Sequence, residues 1–151
     1  MRKKYKHILV PLDGTDFAEQ ALVDAFSLAQ LSQAQVTLLQ VIVPMEHSLD
    51  PDVFDPPYIA KKEDEYKAQS QQYLSDVCVR MGVGEIAVRT EADVGSPAQT
   101  IVDYARRHSV DLIVMATHGR GGLRRWTEGS VAETVLHGTD VPVLLVCVRS
   151  S

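Results

Sequence analysis

A segment rich in glycine and arginine follows an apolar run and carries residues well suited to hold an anion. Gly119, Gly121 and Gly122 fall within four residues, and Arg120 stands among them. Glycine lets a ligand approach backbone N–H groups closely, and such groups beside a helix start favour phosphate. The same glycines would also suit a loop that only joins a strand to a helix. Spacing alone leaves both interpretations open.

A helix start is predicted just after this segment. Ser130 and Glu133 are three residues apart and form a capping-box pattern, in which the serine side chain caps the helix. Ser130 is therefore predicted to be the N-cap of a helix over residues 131–137, and its N–H groups would face the anion. His118 could contact a phosphate or lie in solvent as a lone loop histidine.

Strand and helix patterns alternate along the whole chain. The predicted strands cover residues 7–12, 36–43, 86–92, 112–116 and 142–148, and helical patterns lie between them, beginning at Asp16, Ile59, Pro97 and Val131. This alternation predicts right-handed βαβ units and a parallel sheet in one α/β domain over residues 1–151. Such sheets bind ligands at the carboxyl ends of their strands. Asp13, Val41 and the glycine segment would then meet at one crevice.

Two stretches rich in proline modify this pattern. Pro11 lies inside the first strand and has no N–H to donate, so pairing is expected to loosen as that strand ends. Residues 44–58 contain four prolines and three aspartates, a composition typical of a loop.

Composition and charge exclude several functional classes. The chain has 151 residues, 45% hydrophobic and 23% charged residues and a net charge of −5, which argues against general binding to nucleic acid or anionic membrane. Apolar runs are too short for a membrane span, and the first residues lack a signal-peptide core. Cys78 and Cys147 match no metal or redox spacing. We expect a cytoplasmic protein.

Several segments together resemble the universal stress protein family over almost the whole chain. They are residues 8–14 (ILVPLDG), 94–98 (VGSPA) and 142–146 (PVLLV). ATP-binding, UspA-like members carry a glycine, two residues, a glycine, nine residues, then glycine and serine or threonine. Here Ala116, Gly119 and Gly129-Ser130 occupy those positions. The resemblance implies a doubly wound five-stranded parallel sheet in the order 3-2-1-4-5, of the adenine nucleotide alpha-hydrolase-like type.

The resemblance also implies a nucleotide site. Asp13 would approach the ribose, the Val41 backbone would face adenine, and the glycines and Ser130 would surround the phosphates. The implied ligand is ATP, with AMP or ADP as alternatives, and Asp13 is a candidate Mg²⁺ contact. The implied site residues are Pro11, Leu12, Asp13, Val41, Met115, Ala116, His118, Gly119, Arg120, Gly121, Gly129, Ser130 and Val131.

Two residues depart from the family pattern. Ala116 replaces the first glycine and adds a methyl group, and Glu128 brings a carboxylate beside the phosphate positions. The chain lacks a GxxxxGK[ST] motif, a GxSxG motif and a Cys–His pair, so efficient catalysis is not expected. The first hypothesis is a stress-response protein that acts as an ATP-dependent switch or interaction module. A weak ATPase and an interaction protein that binds no nucleotide are the alternatives.

A homodimer is expected as well. The family resemblance implies one, and the last strand, Val143–Val148, is strongly apolar and should lie at a sheet edge. Exposed edges of this kind tend to pair with another chain.

Overall fold

The structure is a computed structural model that describes residues 3–44, 55–118 and 126–148. Its strands and helices alternate in the predicted manner. In chain order they are β1 His7–Leu12, α1 Asp16–Glu19, α2 Leu22–Ser32, β2 Gln35–Ile42, α3 Pro56–Met81, β3 Val88–Val94, α4 Pro97–Arg107, β4 Leu112–His118, α5 Trp126–Gly138 and β5 Val143–Val148.

The strands form one parallel sheet in the order β3-β2-β1-β4-β5. This confirms the predicted doubly wound α/β fold and its strand order. Helices α2 and α3 pack on one face of the sheet, and α4 and α5 pack on the other. Both faces are therefore covered, as parallel sheets require.

The unbroken apolar sequence of β1 is accounted for by its central position in the sheet. Ile8 and Val10 point into the core beneath α2 and α3, whereas Leu9 points into the core beneath α4 and α5. All three are fully buried. A strand buried on both faces gains nothing from alternating polar residues, so the apolar run is what this position in the sheet requires.

The two central strands separate toward their carboxyl ends. Pairing of β1 with β4 covers Ile8 with Leu112 and Leu9 with Ile113. Pairing of β1 with β2, in contrast, continues to Leu12. The loosening predicted at Pro11 therefore occurs on the β4 side and not on the β2 side. It opens a crevice where the strand order reverses, which is the usual ligand position in such sheets.

Several predicted boundaries shift. The first predicted helix is divided into α1 and α2, and its N-cap is Thr15, whose side chain accepts a hydrogen bond from the Ala18 N–H. Helix α3 begins at Pro56 rather than at residue 59, because proline is well tolerated in a first helical turn. Strand β3 begins and ends two residues later than predicted, and β4 continues to His118.

The prediction that Ser130 is a helix N-cap is wrong. Helix α5 begins at Trp126, so Ser130 lies inside it. A serine three residues before a glutamate also occurs within helices, where the preceding turn supplies carbonyl acceptors for the backbone N–H groups. The capping pattern is therefore not sufficient to locate the helix start.

Within the described ranges, none of the helices combines the length and the apolar character needed to cross a membrane.

Candidate functional site

A cavity of about 350 Å³ opens at the carboxyl ends of β1, β2 and β4. Its size falls within the range of about 300–1,000 Å³ typical of small-molecule sites. Helices α1, α4 and α5 complete its walls. The lining residues are Pro11, Leu12, Asp13, Phe17, Ala18, Leu39, Val41, Val43, Pro97, Ile101, Met115, Ala116 and Val131.

Many of the residues assigned to a nucleotide site from the sequence meet at this cavity. The ones that line it are Pro11, Leu12, Asp13, Val41, Met115, Ala116 and Val131. His118 ends β4 and does not line the cavity directly. Gly129 and Ser130 fall within α5. Gly119, Arg120 and Gly121 lie outside the described residues.

Sequence reasoning missed the other half of the lining. Phe17, Ala18, Leu39, Val43, Pro97 and Ile101 are apolar or lack a polar side chain, so their pattern is the same whether they face a core or a cavity. Pro97 carried one usable signal. It follows Ser96 at a predicted helix start, and α4 does begin there, at the edge of the crevice.

Among the described residues that line the cavity, Asp13 is the acidic one, and its carboxylate is held in one orientation. Its Oδ1 accepts hydrogen bonds from the Thr15 backbone N–H, at 2.9 Å, and from the Thr15 hydroxyl. No residue of the described ranges bonds to Oδ2. The turn depends on Gly14, whose φ of +87° is disfavoured for residues with side chains. Asp13 can therefore offer Oδ2 to a ligand hydroxyl.

The cavity floor is apolar and closely packed. Met115 and Ala116 on β4 expose 7% and 9% of their surface. Leu39 and Val41 extend the lining from β2. An apolar slot with one carboxylate at its rim suits a flat ring joined to a hydroxylated group, because the ring gains from burial while the hydroxyls find an acceptor.

An aromatic pair closes the α1 side of the crevice. The rings of Phe17 and His118 are stacked, with centroids 4.1 Å apart and planes inclined by 24°. Phe17 lines the cavity, so the stack joins the cavity wall to the end of β4. It positions the His118 imidazole where the chain continues toward the glycine-rich segment.

The described residues contain no preformed metal site, since no group of three or more His, Cys, Asp or Glu side chains comes together among them.

A larger cleft of about 970 Å³ lies at the opposite end of the sheet, between α2 and the turn that follows α3. None of the residues assigned to nucleotide binding lines it. The larger cleft is therefore not the candidate nucleotide site.

The sheet order, the crevice between β1 and β4 and the covered faces define a doubly wound α/β protein with a cavity where its strand order reverses, the usual ligand position in such folds. The universal stress protein family model matches residues 4–147. The chain belongs to the universal stress protein family.

Individual proteins agree with this assignment. Universal stress protein MJ0531 of Methanocaldococcus jannaschii is 33% identical, over 94% of this chain and 82% of its own. YxiE of Bacillus subtilis is 30% identical, over 94% and 99%. The solved structure of UspA from Lactobacillus plantarum has a TM-score of 0.80 at 28% identity, over 96% and 99%.

Two solved structures that share the fold contain adenine nucleotides. A universal stress protein in complex with cAMP has a TM-score of 0.65 at 21% identity, over 96% of this chain and 98% of its own. The universal stress protein of Archaeoglobus fulgidus in complex with dAMP has a TM-score of 0.60 at 21% identity, over 95% and 98%. At this identity the likeness establishes the common fold.

Proposed function

We propose that this protein binds an adenine nucleotide, with ATP as the first candidate, in the cavity at the carboxyl ends of β1, β2 and β4. The observation that carries the proposal is the cavity itself, an apolar slot of about 350 Å³ with the fixed Asp13 carboxylate at its rim. The fold relatives that hold cAMP and dAMP support the same ligand class.

Different residues of the lining would contact the adenine, the ribose and the phosphates of a nucleotide. Leu39, Val41 and Met115 supply apolar contacts for the adenine ring. Asp13 Oδ2 is available for a ribose hydroxyl. Val131 lines the cavity from α5, so phosphates extending in that direction would pass Gly129 and Ser130 in the same helix.

The two departures from the family motif bear on which nucleotide is preferred. Ala116 lines the cavity, and its methyl group would leave less room there than the glycine of the family pattern. Glu128 adds a negative charge near the phosphate positions, which opposes polyphosphate by Coulomb repulsion. Arg120, Arg124 and Arg125 offset that charge. ATP should therefore bind, with AMP and ADP as competitors to be measured beside it.

Calorimetric titration with ATP tests the proposal. Gly129→Val should abolish binding, because the added side chain fills space that the phosphates need. Ser130→Ala should weaken binding about ten- to a hundredfold, the effect of losing one hydrogen bond to a charged group. Gly138→Ala is a matched control at the other end of α5, where a Cβ meets Val102 at an ordinary 3.7 Å, and its affinity should equal that of the parent.

Ala116→Gly restores the family pattern and provides a test in the opposite direction. Removing the methyl group should leave ATP affinity equal or higher. Parent-like affinity in Gly129→Val, with folding verified by circular dichroism, would place the nucleotide elsewhere and refute the proposed site.

The switch hypothesis includes a homodimer. Strand β5 lies at the edge of the sheet, and Leu144 exposes 37% of its surface there. Edge strands of this kind pair with other chains unless they are protected. We therefore propose that β5 of one protomer meets β5 of its partner, and that nucleotide binding at the neighbouring β4 alters this contact.

A further inference from the structure

A second cavity lies on the α3 side of β2, across the strand from the nucleotide cavity. It has a volume of about 430 Å³ and lies between the carboxyl end of β2 and the middle of α3. Among the described residues, the polar side chains that line it are those of Gln40, Tyr66, Gln69, Ser70 and Tyr73. None of these carries a charge at neutral pH. The chemistry of this cavity therefore differs from that of a phosphate site.

Gln40 is held so that its amide donors remain available. The hydroxyl of Ser70, a residue only 5% exposed, donates a hydrogen bond to Gln40 Oε1. That bond fixes the amide and directs Nε2 toward Gly14, where an added Cβ would lie 3.5 Å from it. Among the described residues, no acceptor is bonded to Gln40 Nε2. A ligand in the cavity can supply that acceptor.

Aromatic surface complements these donors. The Tyr73 hydroxyl donates to Glu19 Oε2 at 2.7 Å, so this ring is anchored with its hydroxyl already in use. Tyr66 lies two helical turns earlier on the same side of α3, and 40% of its surface is exposed. A phenol ring left partly open beside amide donors suits a ligand with a flat or apolar face.

We propose that this cavity binds an uncharged polar ring, whose edge accepts a hydrogen bond from Gln40 Nε2 and whose face packs against a tyrosine ring. The described residues of its lining carry no charged side chain, which disfavours phosphates and carboxylates, because a charge moved beside them would lose hydration without gaining a partner from them. A monosaccharide and a nucleoside both have the required chemistry. Hydroxyl or carbonyl oxygens on the ring edge are common to the two.

The second cavity is connected to the nucleotide cavity through shared residues. Val41 and Val43 line both. Gly14 lines one cavity and Asp13 lines the other. Occupancy of the second cavity should therefore change ATP affinity. That expected coupling rests on the proposed nucleotide function, whereas binding of the ring does not.

Nuclear magnetic resonance of the ¹⁵N-labelled full chain tests the proposal with two separate probes, glucose and uridine. Each is titrated to about 10 mM, which would nearly saturate a site with a Kd on the order of 1 mM. The side-chain amide signals of Gln40 and Gln69 should shift and saturate with one probe. Which probe succeeds decides between the sugar and the nucleoside. Gln72 lies about one helical turn after Gln69 on α3 and outside the described cavity lining. Its side-chain amide signal should not shift.

Variants give a second readout. Gln40→Leu should weaken binding of the successful probe about three- to tenfold, the effect of one lost neutral hydrogen bond. Gln72→Ala is the matched control on α3 and should bind as the parent does. Gly129→Val should retain the probe even though it loses ATP, so failure of the nucleotide proposal remains distinguishable from failure of this one.

Three results would overturn the proposal. If neither glucose nor uridine produces a saturable shift of the Gln40 side-chain amide signal, the proposal is refuted. Equal shifts at Gln40 and Gln72 would indicate a non-specific effect. Competitive displacement of the probe by ATP would place the ring in the nucleotide cavity instead.

Discussion

Tyr73→Phe removes one hydroxyl that ties α3 to the short helix α1. The hydroxyl donates to Glu19 Oε2 at 2.7 Å, and Arg80 approaches the other carboxylate oxygen at 3.0 Å. Helix α1 also carries Phe17 and Ala18, which line the cavity proposed to bind a nucleotide. The substitution should therefore reduce stability and weaken ATP binding without touching the nucleotide.

The magnitude follows from burial and charge. A hydrogen bond to a charged group contributes about 1.5–3 kcal/mol, and the Glu19 side chain is only 13% exposed. Arg80 is 57% exposed, so its ion pair is screened by solvent and contributes little. In the variant, Glu19 still has Arg80 as a partner. The expected loss in the free energy of unfolding is therefore near the lower limit, at about 1.5 kcal/mol. The melting temperature should fall by about 3–6 °C.

The effect should also depend on pH in a defined direction. Burial, reinforced by the hydrogen bond to Glu19, raises the pKa of Tyr73 above its ordinary value. The folded state therefore retains a proton that the unfolded state loses above about pH 10. The stability from this contact is complete below pH 10 and is lost as pH rises beyond it. The difference between parent and variant should accordingly shrink in alkali.

Urea unfolding at pH 7 and pH 11 measures both effects, with Tyr66→Phe as the matched control. Tyr66 lies on the same helix, and no hydrogen bond joins its hydroxyl to a described residue. If Tyr73→Phe costs no more than Tyr66→Phe at pH 7, the contact does not stabilise the fold and the reasoning fails.

Two further changes test the dimer and the acid response. Leu144→Lys, at an exposed position of β5, should shift the protein toward monomer in sedimentation experiments. The control Val79→Lys, at an exposed position of α3, should not. A parent protein that is monomeric at micromolar concentration would refute the dimer. Burial lowers the pKa of His7, so stability should be lost as pH falls below about 6.5, by up to about 1.4 kcal/mol per pH unit. His7→Phe should flatten this dependence in urea unfolding, and exposed His137→Gln should leave it intact; an unchanged acid slope in His7→Phe would contradict the assignment.

The choice of Leu144 shows how tertiary packing alters a design made from sequence. The apolar run of β5 first suggests Leu145 as the position for a lysine. Leu145, however, packs against the core beneath α4 and α5, so a lysine there would damage folding and obscure the dimer. Leu144 points outward, so a lysine there should disturb the dimer contact without disturbing the core.

Local sequence determined the elements and their type. The strand over residues 7–12 and the helix that begins at Pro97 were both predicted from local sequence, and the structure contains both. Motif spacing also indicated the family, which the matching residues 4–147 confirm. These features could be predicted because short-range sterics and hydrogen bonding specify them.

Tertiary structure decided which apolar residues surround a cavity. Phe17, Leu39 and Ile101 have the same hydrophobic pattern as core residues, and only the divergence of β1 from β4 leaves space beside them. Helix α5 begins at Trp126, before the Ser130 capping pattern, so local spacing did not locate its start. Burial is a property of the assembled sheet, so no local pattern distinguishes a filled core from a cavity.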